Sequence, residues 1–400
     1  MLILYCEYTS HSYWAKTYAK YSKHSVSRMS IDGSNFKWRM QSCAIAFANQ
    51  FLRTFCAIEQ SSNGEHIRNQ IEIKTDIQCT SCPAVVVIDD LIDLNLFSAM
   101  IRRQCPNIRF IYFLHENQLT MPWKCSDRDR ASGSHWVYGL QNFKSMLGAD
   151  RIWWNSRFHR EQFLEAMPKL IRNRSNDDWT AIVMIQRVRS KSNTVYLPID
   201  YAEIEAVRRS LQSVKIRKSE RVILWNARWE SDKNPALFLY ALRHLQKMKD
   251  IAFKLVILGE AFCYSKHPLF AQIRTEFAAD ILQFGFVESY SEYIAWLSLS
   301  DVLVMTSNHE FFGISLMESM HCGAVPVLPN HLVYAEHFEN TKYPFLYRPG
   351  AKGELVKMLR DALLRSDEEL TELRTICKRV CLKYDANDVC SLYDQDITLI

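Results

Sequence analysis

The sequence predicts an α/β protein built from two doubly wound domains, each a mostly parallel sheet covered by helices on both faces. Three observations predict it. Short, apolar, β-rich runs alternate with amphipathic helical patterns, the runs form two series, and 400 residues with 48% hydrophobic content suffice for more than one core. The first series is MLILY at the start, AVVVI from 84, RFIYFLH from 109, RIWWNS from 151 and TAIVMI from 180. The second is RVILWNAR from 221, FKLVILGE from 253, ILQFGFV from 281, DVLVMTS from 301 and AVPVLPN from 324. Between them, RRSLQSVKIRKSE (Arg208 to Glu220) is basic, polar and without strong periodicity. The expected domains are therefore 1–210 and 220–385, with a C-terminal helix, 386–400, packing back on the first. RNRSNDDW from 172 reads as a polar loop, and 168–195 as an insertion.

Composition excludes several classes. The longest apolar runs fall far short of the ~20 residues that span a bilayer, and MLIL passes directly into polar CEYTSHS, which fits a buried first strand and not a secretory signal. The twelve cysteines are scattered, so they are expected to be reduced, without a disulfide framework. Cys79-x-x-Cys82 lacks a second pair at finger-like spacing and reads as a loop before a strand, so no metal site is expected there. Cys377 and Cys381, one helical turn apart, read as helix packing. The net charge is only +5, but between Arg151 and Arg221 there are 15 Lys or Arg against 8 Asp or Glu. That excess suits a polyanionic partner such as nucleic acid, or else a solvated face.

The chemistry concentrates at strand ends. In DVLVMTSNHEFFGISLMESMHCG a strand is followed by a loop at 307–313 and a helix from Ile314 to Cys322, closed by Gly323. Glu310 falls on the loop and Glu318 on the helix, eight positions on; such carboxylates accept hydrogen bonds from hydroxyl-rich ligands. Gly313 admits backbone amides close to an anion, and the helix N-terminus favours phosphate. WNARWESDKNP ends another strand with Arg228 and Lys233, two cations able to neutralise a diphosphate leaving group. In the first domain FLHENQLTMPW ends a strand with His115, Glu116 and Asn117. A helix cap for Glu310, a surface position for Glu318 and a structural role for His115 are the bland alternatives.

The Glu-x7-Glu loop and helix with an upstream Arg and Lys resemble the retaining family-4 glycosyltransferases of the GT-B fold. FKWRM, FLHENQL, YGLQNFKSMLGAD, NSRFHREQFL, the RWE and DK of WNARWESDKNP, VILGEAF, HEFFGISLMES and CGAVPVLPNHLVYAEHF, in this order up to about Phe338, resemble the tRNA-queuosine α-mannosyltransferases. The resemblance implies GT-B: two Rossmann-like doubly wound parallel-sheet domains facing a central cleft. It implies GDP-mannose as donor, held at the diphosphate by the amides of Phe312, Gly313 and Ile314 with Arg228 and Lys233, at the ribose by Glu318 and at the sugar by Glu310. His115 is implied beside the sugar and the attacking hydroxyl. The acceptor is implied to be queuosine in a tRNA anticodon, tRNA-Asp being expected, contacted by His11, Asn117, Arg128 and Arg130, with Trp123, Trp136 and Tyr138 offering stacking or core packing.

The first strand-to-helix loop, CEYTSHS, is glycine-free, so a donor role is not assigned to it. Retaining transfer without an Asp-x-Asp metal motif fits a front-face displacement, so no cofactor and no catalytic metal are expected. A cytoplasmic location and no membrane partner are expected, and the sequence fixes no oligomeric state. Two other readings stand beside this one. A family-4 enzyme with a lipid or polysaccharide acceptor would use YWAKTYAKYSKH, 13–24, at a membrane. A non-catalytic nucleic-acid-binding protein on a GT-B scaffold would not need Arg228, Lys233, Glu310 and Glu318 together.

Overall fold

The structure, a computed structural model, describes residues 1–56, 73–76, 81–123, 126–175, 178–211, 220–259 and 268–400. The chain divides into two compact units, 1–198 with 386–400, and 199–385.

The first unit holds β1 (Leu2–Glu7), β2 (Ser27–Asp32), β3 (Ile73–Asp76), β4 (Val85–Asp89), β5 (Arg109–Leu114), β6 (Arg151–Trp154) and β7 (Ser192–Thr194), in the order β3-β2-β1-β4-β5-β6-β7. All pairs are parallel except β3 on β2. The second unit holds β8 (Arg221–Asn226), β9 (Phe253–Leu258), β10 (Ile281–Gly285), β11 (Val302–Val304), β12 (Val325–Pro329) and β13 (Leu346–Tyr347), parallel throughout and ordered β10-β9-β8-β11-β12-β13. Helices on both faces explain why central strands read as unbroken apolar runs: Val86, Val87 and Ile88 are all fully buried. Each sheet reverses its strand order once, between β1 and β4 and between β8 and β11. Ligands of open parallel sheets bind beyond the carboxyl ends of strands at such a reversal.

Four expectations need correction. TAIVMI is not a strand but part of the helix Asp178–Ser190, with Ile182 and Val183 exposed; the edge strand is β7, just after it. An apolar run of six does not by itself separate strand from helix. Segment 168–195 is no insertion: together with the helix Arg157–Ser175 it forms the crossover from β6 to the parallel β7, and RNRS at 172–175 is helical. The boundary between units lies at Pro198/Ile199 and not near 210. The helix Tyr201–Leu211 joins the second unit, where Tyr201 stacks on His321 at 4.3 Å between ring centroids and Glu205 Oε1 lies 2.9 Å from His321 Nε2. The cysteines are not all separate: Cys82 and Cys105 come into disulfide contact, with Cys56 beside them.

The stretch proposed for a membrane surface, 13–24, lies largely in the helix Thr9–Tyr21, whose Trp14, Ala15 and Tyr18 are core residues. Tyr18 and Trp14 pack on Tyr393 of the C-terminal helix Ala386–Thr398. That helix is fastened by Asp394, whose Oδ1 accepts from Tyr18 and Ser22 hydroxyls at 2.7 Å each and whose Oδ2 accepts from the Lys23 amide at 2.7 Å. Among the described residues no helix is long and apolar enough to cross a membrane.

Losing a buried acceptor strands its donors, so Asp394→Ala should lower the unfolding free energy by roughly 2–3 kcal/mol in urea titrations. Leu392→Ala, on the exposed side of the same helix, should change it little.

Candidate active site

In the second unit the loop after β8 and the loop after β11 are joined by one buried ammonium. Lys233 closes a 3-10 turn, Ser231–Lys233, and is 6% exposed. Its Nζ donates to Glu310 Oε2 at 3.2 Å and to the His309 carbonyl at 3.0 Å, and lies 3.3 Å from Asp232 Oδ2. Three N–H groups thus meet three acceptors. Burial alone would lower the Lys233 pKa, but Glu310 and Asp232 raise it overall; desolvation would raise Glu310, and Lys233 overrides it to hold that carboxyl below the usual carboxylate range. The backbone repeats the link: the Asn308 amide donates to the Asp232 carbonyl at 2.7 Å, and the Thr306 hydroxyl to the Lys233 carbonyl at 2.7 Å.

Glu310 also accepts from the amides of Phe311 and Phe312 at 3.2 and 3.4 Å, which folds the loop onto its own carboxylate. Gly313 then takes φ 85°, a left-handed conformation that favours glycine, and starts the helix Ile314–Cys322. The amides of Gly313 and Ile314 stand at the helix N-terminus, where intrahelical acceptors are lacking. The Phe312 carbonyl accepts from His337 Nε2 at 2.7 Å; since a carbonyl only accepts, Nε2 carries the proton and Nδ1 accepts from the Tyr384 hydroxyl at 2.7 Å. Burial pulls His337 down to about 4, so this neutral tautomer persists at ordinary pH.

Glu318 lies on the second turn of that helix, 6% exposed. Its Oε2 accepts from the Tyr293 hydroxyl at 2.7 Å, which accepts from Asn226 Nδ2 at 2.9 Å. Burial pushes the Glu318 carboxyl up to about 7, against the pull of the Tyr293 bond. Arg228 is half exposed, 3.8 Å from Glu230, and its charge acts on Asp232 and Lys233.

The first unit has its own polar cluster at the β1/β4 reversal. His11, in the first turn after β1, pairs through Nε2 with Asp90 Oδ1 at 3.1 Å, and the same oxygen accepts the His115 amide at 3.0 Å. The rings of His11 and His115 are 4.2 Å apart. Burial would lower both; Asp90 overrules it for His11, which rises to about 9, while His115 stays well below its ordinary value because burial is reinforced by the His11 charge. One imidazole is therefore cationic and its neighbour neutral. Asn155 Nδ2 donates to the His115 carbonyl at 2.8 Å, and its Oδ1 lies 2.8 Å from His159 Nδ1. Asn117 Oδ1 builds the following turn, accepting from the amides of Leu119 and Thr120 at 3.1 and 2.8 Å. His11 Nδ1, both nitrogens of His115, Asn117 Nδ2 and Asp90 Oδ2 are buried without a protein partner. Such groups cluster where a ligand completes the hydrogen bonding.

Thus Arg228, Lys233, Glu310, Phe312, Gly313, Ile314 and Glu318 lie in one unit, and His11, His115 and Asn117 in the other. Arg128 and Arg130 sit apart from that histidine cluster, exposed on the short helix Arg128–Ala131, where the Arg130 guanidinium donates to the Trp123 carbonyl. Trp123 and Tyr138 are buried and stack on each other at 5.5 Å, so they serve packing, while Trp136 is half-buried. Among the described residues of the first unit the most exposed aromatic ring is Trp38, at 63%, next to Lys37. The expectation that the chain lacks an Asp-x-Asp pair is wrong, since Asp127-Arg128-Asp129 and Asp394-Gln395-Asp396 have that spacing. Both pairs are engaged by protein donors: Lys37 Nζ is 2.8 Å from Asp127 and 2.6 Å from Asp129, Asp394 fastens the last helix, and Asp396 accepts from Trp153 Nε1 at 2.7 Å. Reading residues missed Asp90, Asn155, His159, Asn226, Tyr293, His337 and Trp38. A polar residue ending an apolar strand run could have found Asp90 and Asn226.

Two parallel-sheet units with these loops define a GT-B glycosyltransferase fold. Residues 2–61 and 66–199 match the family model described as tRNA-queuosine alpha-mannosyltransferase N-terminal, and 207–379 match glycosyl transferases group 1. Between them the two models span most of the chain, the first on the first unit and the second on the second. It is 29% identical over 233 residues to the tRNA-queuosine alpha-mannosyltransferase of Drosophila melanogaster, covering 57% of this chain and 59% of the fly protein. It is 24% identical over 184 residues to a GDP-mannose:cellobiosyl-diphosphopolyprenol alpha-mannosyltransferase of Xanthomonas oryzae, covering 43% and 45%. The alignments thus span about half the length of these relatives. Among solved structures, the N-terminal domain of Candida albicans trehalose-6-phosphate phosphatase superposes with TM-score 0.66 at 14% identity over 99% of this chain and 96% of that one. OtsA superposes with 0.64 at 13% over 100% and 99%, and Anabaena HepE with UDP and glucose with 0.61 at 13% over the whole of both. At these identities the structures establish the fold alone.

Glu318 supplies a pH test. Its folded value, about 7, exceeds the ordinary 4.5, so the folded chain binds more protons between those limits and stability from this group falls as pH rises from 4.5 to 7. Glu318→Gln, neutral throughout, should abolish that part of the decline in urea midpoints across the window.

Proposed function

We propose that this chain moves mannose from GDP-mannose, with retention, onto a cyclopentenediol hydroxyl of queuosine in a tRNA anticodon, tRNA-Asp being the expected substrate, in the cytoplasm. The observation that carries this reading is the match of 2–61 and 66–199 to the queuosine-mannosyltransferase N-terminal model, because that segment holds the His11–Asp90–His115 cluster with its unpartnered buried polar atoms. The first unit is assigned the acceptor and the second the donor.

Glu318, kept in place by Tyr293 and Asn226, is assigned the ribose hydroxyls. The amides of Gly313 and Ile314, with Arg228, are assigned the diphosphate, and the Phe312 amide, which donates to Glu310 at 3.4 Å, could join them only by leaving that bond. Lys233 adds its field to the same charge and positions the loop; since its N–H groups are engaged, direct contact with phosphate would require exchanging one acceptor. Glu310 is assigned the mannose hydroxyls. Neutral His115 can accept at one nitrogen and donate at the other, which suits a sugar hydroxyl, and cationic His11 offers a donor beside it. In the front-face step the bond from mannose C1 to the diphosphate oxygen breaks as the acceptor oxygen bonds C1 on the same face. The acceptor proton passes to the departing diphosphate oxygen. Fixed cations and amides meet the charge that develops, and the step asks for no divalent ion.

Trp38, with Lys37, Arg128 and Arg130, is assigned to the tRNA, where an exposed ring can stack a splayed base. A lipid acceptor is less well supported, because the helix that would lie on a membrane is packed into its own unit.

The test incubates the protein with GDP-mannose and tRNA from cells able or unable to make queuosine. Mannose should enter only the queuosine-bearing tRNA. Transfer to lipid extract, or to both tRNA pools alike, would overturn the acceptor. Trp38→Ala should weaken tRNA binding by ~1–3 kcal/mol while leaving GDP affinity unchanged.

A further inference from the structure

Three cysteine sulfurs meet at the amino ends of the first sheet's strands, opposite the polar cluster at their carboxyl ends. Cys56 follows the helix Phe36–Phe55, Cys82 lies in the loop before β4, and Cys105 follows the helix Leu94–Ile101 and precedes β5. Their sulfur atoms all lie within 4.8 Å of one another, and those of Cys56 and Cys105 are 3.6 Å apart. Sulfurs placed 2.3 Å from a tetrahedral zinc ion stand about 3.8 Å from each other, close to the 3.6 Å between Cys56 and Cys105, while Cys82 and Cys105 stand nearer, at disulfide contact. A disulfide between Cys82 and Cys105 accounts for two of the three. It also spans Cα atoms 7.1 Å apart, beyond the usual 4.4–6.8 Å of such bonds. An ion uses all three sulfurs and needs no shorter backbone approach.

We propose that Cys56, Cys82 and Cys105 bind one zinc ion as thiolates. The ion is structural. β4 separates Cys82 from Asp90 by its five residues, about 17 Å at 3.3 Å per residue, so the ion stands at the amino ends of the strands and the reacting groups at the carboxyl ends. It ties the end of a long helix to the strand entries β4 and β5, closing the chain between Cys56 and Cys82 into a loop. Each cysteine gives up its thiol proton on binding, so occupancy falls as pH falls. Cys79 stands three positions before Cys82 in the sequence and lies outside the described residues; the site is argued from the other three. The expectation of no metal here came from seeking a second close pair, whereas these ligands are 26 and 23 positions apart in sequence.

The test purifies the untagged full chain under reducing conditions from zinc-supplemented cells, removes loose metal with a weak chelator, and measures bound metals by mass spectrometry. Wild type and Glu318→Gln should each carry about one zinc per chain, and Cys56→Ser, Cys82→Ser and Cys105→Ser should each lose it. Cobalt exchanged into wild-type protein should give thiolate-to-cobalt charge-transfer absorption, a readout that stands even if the serine variants do not fold. Wild-type protein free of zinc would overturn the proposal. So would zinc that survives the triple variant, or an intact Cys82–Cys105 disulfide, two hydrogens lighter, in the metal-free chain.

Discussion

The contact between the buried Lys233 and the partly buried Glu310 is the constraint on which the loops after β8 and β11 depend. Taking an ammonium and a carboxylate out of water is costly, and the pair is stable only because further acceptors complete the shell of Lys233 and two amides that of Glu310. The pair does more than offset its own desolvation: it fixes the loop after β8 to the loop after β11. On the proposed function the amides of Gly313 and Ile314 form a preset anion site, and no loop has to be ordered when the diphosphate arrives. His337, neutral and clamped between Tyr384 and the Phe312 carbonyl, holds the same loop from its other side.

The first unit solves a similar problem with different residues. At the β1/β4 reversal Asp90 takes the place that Glu310 has at the β8/β11 reversal, joining a residue after β1 to the end of β5. The two units share the topological position of the cluster and the device of one acid bridging two loops, fully buried in Asp90 and partly buried in Glu310. They differ in outcome. The second unit ends in a nearly charge-balanced cluster at a helix N-terminus, whereas the first ends in buried nitrogens without protein partners, one imidazole charged and its neighbour neutral.

Much of this was legible in the residues, for a physical reason. Central parallel strands are buried on both faces, so nine of the ten apolar runs fall on strands, and the glycines at 313 and 323 punctuate the helix between them where left-handed backbone is needed. What stayed hidden was set by distance along the chain. SRMSID in β2 carries polar positions and no apolar run, and TAIVMI is apolar but half exposed on a helix. The partner of Glu318 is Tyr293, twenty-five positions earlier, and nothing in either segment announces the other. Asp127-Arg128-Asp129 shows the converse: a spacing that suggests a metal is, in the fold, a receptor for Lys37.

The central claim is that Lys233 and Glu310 act as one unit in preparing the donor loop. A double-mutant cycle with Lys233→Ala, Glu310→Ala and the double variant, read by calorimetric titration with GDP, tests it most directly. A coupling of about 1–3 kcal/mol is expected, the double variant binding GDP more tightly than the two single losses would imply. Strictly additive losses would show that the two residues act separately, and would contradict it.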